Sequence, residues 1–491
     1  MFWLLLLVAG VVWVAYSWFE RRKIVELSKK LPGDLPSWPI LGHAYLLRGS
    51  DEGTYFMSGQ LTINRGGLAS YWIAKFYKRS VSSLTVVADP VAIESVLKNC
   101  LEKDYVMKFT RFLVGNGSIY APVSIWRPRR KLLAPTFSMK NLNRFVEVFA
   151  RQSAVMVEQI EPSAGRGTFS VWRFLTTYTF DSVCETTLGV QMNAQRNPNQ
   201  EFLDALDEIT QLIATRMVQP WLYADWVYSL LPQYRRVQKS RQLMFVKNYF
   251  QVIKAKRMEM EQRAKSQSFL EMLLESSQFT DEELAEETMV ISVAGTDTSA
   301  VAASFTVVML SRNPDVQDKV VEELRDVFGD SDREVTAEDL PRLKYLEAVI
   351  KETLRMYPPV PIIVRAVQND TQLPSGPTLV NGVGVVVNIW AVHRNPRYWG
   401  QDTDLFKPER FLEPLEHPAQ FIPFSYGLRN CLGYRYAIMS IKTVLASLLR
   451  KFRVLPPEGV DPATLKDPLR VKFDIMMKDV NKFQIQLENR L

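Results

Sequence analysis

The chain has 491 residues, of which 47% are apolar and 23% charged, with a formal net charge of +7 and three cysteines. This composition encloses a large apolar interior and excludes a disordered or collagen-like chain. Cys100, Cys184 and Cys431 are odd in number, far apart and free of any C-x-x-C pair. That pattern excludes a disulfide framework and a cysteine-based zinc site, and it fits a reducing, cytosol-facing compartment. Basic and acidic residues are interleaved, so nucleic acid is not an expected partner. Without a Gly/Ser tract, charge block or repeat to mark a boundary, the body reads as one large unit.

In chain order, residues 2–19 (FWLLLLVAGVVWVAYSWF) form an uncharged apolar run followed by RRK at 21–23. The run is just long enough for a bilayer helix, and the positive flank places the body on the cytosolic side. The rival is a cleaved signal peptide, which carries a basic segment ahead of a shorter core. The chain is therefore divided into a transmembrane anchor (1–20), a basic and Pro-rich linker (21–42) and a catalytic domain (43–491). Apolar residues at three-to-four spacing predict helices over 138–162, 200–216, 235–276, 281–312, 314–329 and 337–356. Strand-like stretches are few: 69–76, 84–88, 378–388 and 482–487. The fold class is mainly α with small β-sheets.

Several segments combine polar residues with apolar surroundings. Phe109, Phe112, Leu113 and Val114 precede WRPRRKLL, in which Trp126 and Arg130 stand four apart, with Pro128 marking the first turn of a helix. Residues 218–232 are rich in Trp and Tyr, which suits a membrane interface or a packed core. The long apolar helix of 291–310 is interrupted by Gly295, Thr296, Asp297 and Thr298, polar groups that are costly there unless they serve a site. Glu352 and Arg355 are three apart, as for a pair on one helical face. Beyond them lie Ile362, Ile363, Val364 and Arg365. The three histidines, His43, His393 and His417, lack metal-like spacing and read as structural.

Cys431 lies in FSYGLRNCLG (424–433), just ahead of a helix whose apolar stripe runs through Ile438, Ile441, Leu445, Leu448 and Phe452. A cysteine at a helix N-terminus and beside Arg429 has a stabilised thiolate, a good metal ligand. Gly427 permits a turn, Gly433 removes a side chain where a flat cofactor would press, and Phe424 shields the sulfur.

F-x-x-G-x-R-x-C-x-G, matched here at every fixed position, is the signature that the chain shares with the cytochrome P-450 monooxygenases, which it resembles over nearly its whole length. The resemblance implies the cytochrome P-450 fold and a non-covalent haem b. Cys431 would be the iron ligand, with Phe424 and Gly433 beside it and Arg429, Trp126, Arg130 and Arg365 near the propionates. It also implies a structural network of Glu352, Arg355 and Arg410 (in FKPERF, 406–411), and catalytic roles for Thr298 and Asp297 in handling protons. This acid–alcohol pair favours monooxygenation over the haem-dependent isomerases and lyases. No dinucleotide fingerprint is present, since VGNGSI and NGVGVV both fail the spacing. Electrons are therefore expected from another protein, docking near Arg127, Arg129, Arg130, Lys131, Arg435 and Lys442, and the resemblance implies that this donor is a NADPH-cytochrome P-450 reductase, or cytochrome b5.

Within the family the chain is most similar to the insect branch related to the fatty-acid ω-hydroxylases. Ala294 stands where those enzymes often carry a haem-esterifying glutamate. An apolar lining of Phe109, Phe112, Leu113, Val114, Ala294, Ile362, Ile363 and Val364 implies a lipophilic substrate. The expected reaction is hydroxylation or epoxidation of a fatty-chain or hydrocarbon compound. Toxin clearance by the same chemistry and a non-enzymatic lipid carrier are the alternatives. The expected location is the endoplasmic reticulum membrane, single-pass, with the catalytic domain in the cytosol.

Overall fold

The computed structural model describes residues 68–71, 84–197, 200–244, 268–275 and 279–490, together with residues 8 and 10–12. The expected anchor and linker, and His43, lie outside the described residues apart from those four helical positions. The described part is helical in the main. Ten longer helices are α1 (Pro90–Asn99), α2 (Val123–Leu133), α3 (Met139–Ile160), α4 (Trp172–Val183), α5 (Gln200–Val218), α6 (Pro232–Met244), α7 (Asp281–Arg312), α8 (Pro314–Phe328), α9 (Lys344–Met356) and α10 (Tyr434–Lys451).

α7 is the axis of the molecule, packed against α4, α8, α9 and α10. Its start is fixed by a capping box: Thr280 Oγ1 accepts from Glu283 N, and the Glu283 carboxylate accepts from Thr280 N at 2.9 Å. Asp281, Glu282 and Glu283 then place negative charge at the positive end of the helix dipole. It is the one helix among the described residues long and apolar enough to span a bilayer, but it is buried within the protein and forms its core. Phe305, Val301, Val308 and Leu310 meet the apolar stripes of α3, α9 and α10 there.

The strands form small sheets. β1 (Leu68–Tyr71), β2 (Leu84–Val87), β4 (Ile362–Ala366) and β7 (Gly384–Asn388) make one sheet in the order β1-β2-β7-β4, in which only the β2–β7 pair is parallel. β7 is buried at every residue, which accounts for its uninterrupted GVVV run. β3 (Phe169–Ser170), β11 (Gln484–Asn489) and β8 (Phe452–Leu455) form a second sheet. β5 (Thr371–Gln372) pairs with β6 (Thr378–Leu379), and β9 (Val471–Asp474) pairs with β10 (Met476–Asp479).

Some expected elements divide. The helix expected over 337–356 is a short 3₁₀ turn, Leu340–Arg342, followed by α9, because Leu343 between them leaves helical geometry at ψ 68°. The strand expected over 378–388 breaks at Asn381-Gly382, where Gly382 takes a φ of +85°, into β6 and β7. Phe452, assigned to the α10 stripe, begins β8 instead. Pro128 lies inside α2 and not in its first turn, since the helix begins at Val123, whose N–H is accepted by the Glu102 carboxylate at 3.0 Å. Thr280→Ala should lower stability by about 1 kcal/mol through loss of the α7 cap. A denaturation midpoint identical to that of the unaltered protein would contradict this role.

Candidate active site

The loop 422–433 is held in an unusual backbone path. Ser425 and Gly427 have φ of +63° and +74°, the Cys431 N–H donates to Phe424 O at 2.8 Å, and Ser425 N donates to Ile422 O at 2.9 Å. A Cβ at Gly427 would come within 3.1 Å of the Leu97 carbonyl, so both close approach and positive φ require glycine there. At Gly433 a Cβ would meet only Phe137, at an ordinary 3.6 Å, so the protein itself places no such demand. Phe424 packs at the edge of the main core, its ring centroid 6.3 Å from that of Tyr434.

Cys431 is the exposed one of the three cysteines, Cys100 and Cys184 being buried, although protein surrounds it closely enough for desolvation to act on its thiol. Burial pushes its thiol pKa up, opposed by the Gly433 N–H and by the charge of Arg130. Two expectations are corrected. Burial outweighs the helix terminus, so the bare thiol is not acidified. The nearby cation is Arg130, while Arg429 turns away to donate to the carbonyls of Leu101 (2.8 Å) and Ala121 and to lie over the Trp126 ring at 5.0 Å.

Arg130 clamps the residue before the cysteine: its Nη1 and Nη2 donate to the main-chain and side-chain oxygens of Asn430 at 2.6 and 2.7 Å. Trp126 and Arg130 therefore act on two different features of the site. Beside them, Arg429, Arg365 and Lys103 gather without a carboxylate partner among the described residues. The Arg365 Nε is buried with no hydrogen bond, and β4 brings Arg365 opposite Lys103. Burial lowers Arg429 to about 10, opposed by Glu102. Arg365 also falls to about 10, through burial and the neighbouring Arg429, and Lys103 falls well below its ordinary value through burial and both arginines. Three crowded cations with an orphaned donor fit a group that carries carboxylates, as the propionates of haem do.

Behind the cysteine loop, Glu352 and Arg355 are fully buried and paired twice, at 2.7 and 2.8 Å. Arg410 Nε approaches the same carboxylate at 3.5 Å, and its other nitrogens donate to Trp399 O and Asp402 O. Glu352 also accepts from Lys407 N at 2.9 Å. The expected triad thus forms one site, with His393 as an unforeseen fourth member. His393 Nε2 accepts from Ile422 N at 2.9 Å and Nδ1 faces Arg355 O at 3.1 Å, so the ring is the neutral Nδ1–H tautomer, tying the triad to the start of the cysteine loop. Burial, reinforced by the Arg355 charge, pushes its pKa down to about 3. His417 instead caps a 3₁₀ turn and meets Glu94 at 3.2 Å.

On α7, Ile291, Ala294, Gly295 and Thr298 share one helical face and retain accessible surface on a helix otherwise buried there. Thr298 is the only polar side chain among the four, and its hydroxyl donates to Ala294 O at 2.6 Å. Asp297 is directed elsewhere: its carboxylate lies 3.6 Å from Lys478 of β10, and burial pushes its pKa up against the pull of that lysine. The acid and the alcohol therefore do not act as a contacting pair.

The lining residues divide similarly. Phe109, Leu113 and Val114 pack with Val290 and Val293 of α7, and Phe112 packs against them. Their loop hangs from α7 through Asn116 N to Glu286 and Ser118 N to Glu287, at 2.8 and 2.9 Å. Ile362 and Val364 lie on one face of β4. Ile363 faces the opposite cluster with Val87 and Val387 and is removed from the lining, a consequence of strand alternation. Of the expected basic docking face, Arg127, Lys131 and Arg435 are exposed. Arg129 is buried against Glu283 and Glu287, Lys442 is buried against Glu347, and Arg130 is committed to Asn430.

A mainly helical fold with an exposed cysteine on a tightly turned loop, next to cations without a salt bridge among the described residues, fits a haem-thiolate protein. The cytochrome P450 family model matches residues 32–482, and the chain belongs to that family. Its members are monooxygenases that use thiolate-ligated haem iron and receive electrons from a redox partner. The chain is 32% identical to cytochrome P450 4d2 of Drosophila melanogaster over 99% of this chain and 98% of that protein. It is 30% identical to cytochrome P450 4V2 of Mus musculus (97% and 91%) and 29% identical to cytochrome P450 4c21 of Blattella germanica (97% and 96%).

Glu352→Gln should cost about 3–5 kcal/mol, because the buried Arg355 guanidinium loses its countercharge while Arg410 keeps Asp402, and should be seen as a lower yield of haem-loaded protein. Unchanged yield and melting would contradict the role of the triad. Unfolded His393 takes up a proton near pH 6.5, the folded residue only near 3. The unfolded state binds more protons between those values, so stability falls as pH drops through the window, by up to about 1.4 kcal/mol per unit from this group. His393→Gln should have a shallower fall between pH 6.5 and 5, and an equal slope would contradict the assignment.

Proposed function

We propose that the chain is a membrane-anchored haem-thiolate monooxygenase that hydroxylates or epoxidises an aliphatic or unsaturated fatty-chain compound. The observation that carries this reading is the exposed Cys431 on its fixed loop, with Arg365, Arg429 and Lys103 crowded without a carboxylate salt bridge among the described residues. Haem bound there through Cys431 supplies dioxygen activation. The protein's own groups then have distinct tasks. Arg130 fixes the residue before the sulfur, Arg365 and Arg429 hold the propionates, and Phe424 limits water at the ligand. Thr298 is the proton-handling hydroxyl on the open face of α7, and Asp297 sets the local field from behind it. Ala294 offers no carboxylate for an ester bond, so the haem is held non-covalently.

The apolar surface of Phe109, Leu113, Val114 and Val290 supports a lipophilic substrate. Location in the endoplasmic reticulum membrane, with the anchor over 1–20, is supported by the apolar run at 2–19 and by exposed Trp221, Trp226 and Leu230 in the segment after α5. NADPH-cytochrome P-450 reductase is the donor in this reading, and cytochrome b5 an additional one. Arg127, Lys131 and Arg435 are the exposed cations available to an acidic partner.

Incubation with reductase, NADPH, isotopically heavy dioxygen and a panel of alkenes, fatty acids and toxins tests the proposal. The expected product is an aliphatic chain carrying one heavy oxygen atom, formed only when reductase is present. Turnover without reductase, or none of the chains oxidised, would overturn it. Thr298→Ala should lower product formation by roughly tenfold or more through loss of that hydroxyl, and an unaffected rate would remove Thr298 from the mechanism.

A further inference from the structure

The carboxyl group of Asp297 on α7 lies in the interior, 1% exposed, and neither of its oxygens accepts a hydrogen bond among the described residues. A carboxylate shut away from water in this way depends on a nearby cation. That cation is Lys478 of β10, itself buried, whose Nζ lies 3.6 Å from Asp297 Oδ1. The same Nζ donates to Asp207 Oδ1 of α5 at 2.7 Å and lies 4.7 Å from the centroid of the Trp172 ring of α4. Lys478 is thus one cation between two carboxylates, and it is closer to the one that reaches the surface, since the Asp207 side chain is 40% exposed.

One further charge faces Asp297 from β9: Asp474, which is itself paired with Lys472 at 2.6 Å. Burial raises the pKa of Asp297, Lys478 opposes that rise, and the charges of Asp207 and Asp474 add to it. A proton on Asp297 is therefore favoured by whatever draws Lys478 away and disfavoured by whatever frees the lysine for it. Asp297 adjoins Thr298, whose hydroxyl stands on the open face of α7. In a buried setting its charge is felt strongly at that neighbouring hydroxyl.

We propose that Lys478 and Asp207 are positioning residues for the oxygen-transfer reaction, Lys478 as the counterion that keeps Asp297 charged and Asp207 as the competitor that weakens this hold from α5. This rests on the roles given above to Thr298 and Asp297 and deepens them, because control of the acid passes to two residues on other elements. Neither Lys478 nor Asp207 touches the reacting atoms. Asp207→Asn and Lys478→Met act on the two ends of one ion bridge, so their effects on Asp297 have opposite signs.

The test uses the haem-loaded enzyme and follows the infrared carbonyl band of protonated carboxyl groups against pH, the Asp297 contribution being the part that Asp297→Asn removes. Lys478→Met, which deletes the cation, should make that band appear at higher pH than in the unaltered enzyme. Asp207→Asn, which leaves the lysine to Asp297, should make it appear at lower pH, and Lys478→Arg, which restores a cation, should return it toward the unaltered position. Product formation with reductase and NADPH should follow, the acid limb of its pH profile moving up in Lys478→Met and down in Asp207→Asn. Opposite displacements are the signature, since a merely structural loss would move both variants alike. If Lys478→Met fails to incorporate haem, the downward shift in Asp207→Asn decides the matter alone. A band that Asp207→Asn leaves in place, shifts of the same sign in the two variants, or a Lys478→Arg band that stays with that of Lys478→Met would each overturn the proposal. The expected infrared shifts beside an unmoved product profile would overturn the positioning role, and an unaffected rate in Thr298→Ala would show that the proton-handling reading has failed with it.

Discussion

A single sulfur atom has to stay reachable within the fold, and much of the architecture answers that constraint. A free loop carrying Cys431 would collapse against the core and lose its opening. The loop is instead fixed at both ends: Arg130 grips Asn430 beside the cysteine, and His393 accepts from Ile422 at the loop's start. Positive φ at Ser425 and Gly427 supplies the turn between. Backbone strain of this kind persists where its surroundings over-determine it, and here the Leu97 carbonyl leaves Gly427 no room for a side chain.

The buried charges follow from the same need. Glu352, Arg355 and Arg410 contribute little net stability as ions, since desolvation offsets most of their attraction. What they provide is direction, because Arg355 also donates to His393 O and Leu405 O and so joins α9 to the segment leading into the cysteine loop. The cations at Arg365, Arg429 and Lys103 have no such salt bridge among the described residues and suit a ligand that brings its own negative charge. Within one molecule, self-compensated charge marks structure and uncompensated charge marks a site.

Sequence alone was sufficient for the elements with strong periodicity and clear caps. α3, α5, α7 and α8 lie within two residues of their expected ends, since Thr280 and the Pro314 start are local signals. Of the helix expected over 235–276, the described residues carry α6 and the short helix Phe269–Glu275, and 245–267 lie outside them. α4 was missed because its buried face is built from Thr, Tyr and Phe, which do not read as an apolar stripe. β4 was missed because IIVRA alternates around a buried arginine. Cys431, Glu352, Arg355 and Arg410 were legible because each falls in a fixed short motif. His393, Lys103 and Lys478 were not, since their partners lie far away in sequence or sit on other elements, and no spacing rule reaches that far.

The account stands on the Cys431 sulfur as the haem iron's ligand. Its most direct test is the absorption spectrum of the ferrous carbonyl complex of Cys431→Ser beside the unaltered protein, with equal helicity of both checked by circular dichroism. The expected result is the thiolate-type carbonyl band in the unaltered protein alone. The same band in both proteins, or a histidine-type band in the unaltered one, would contradict it.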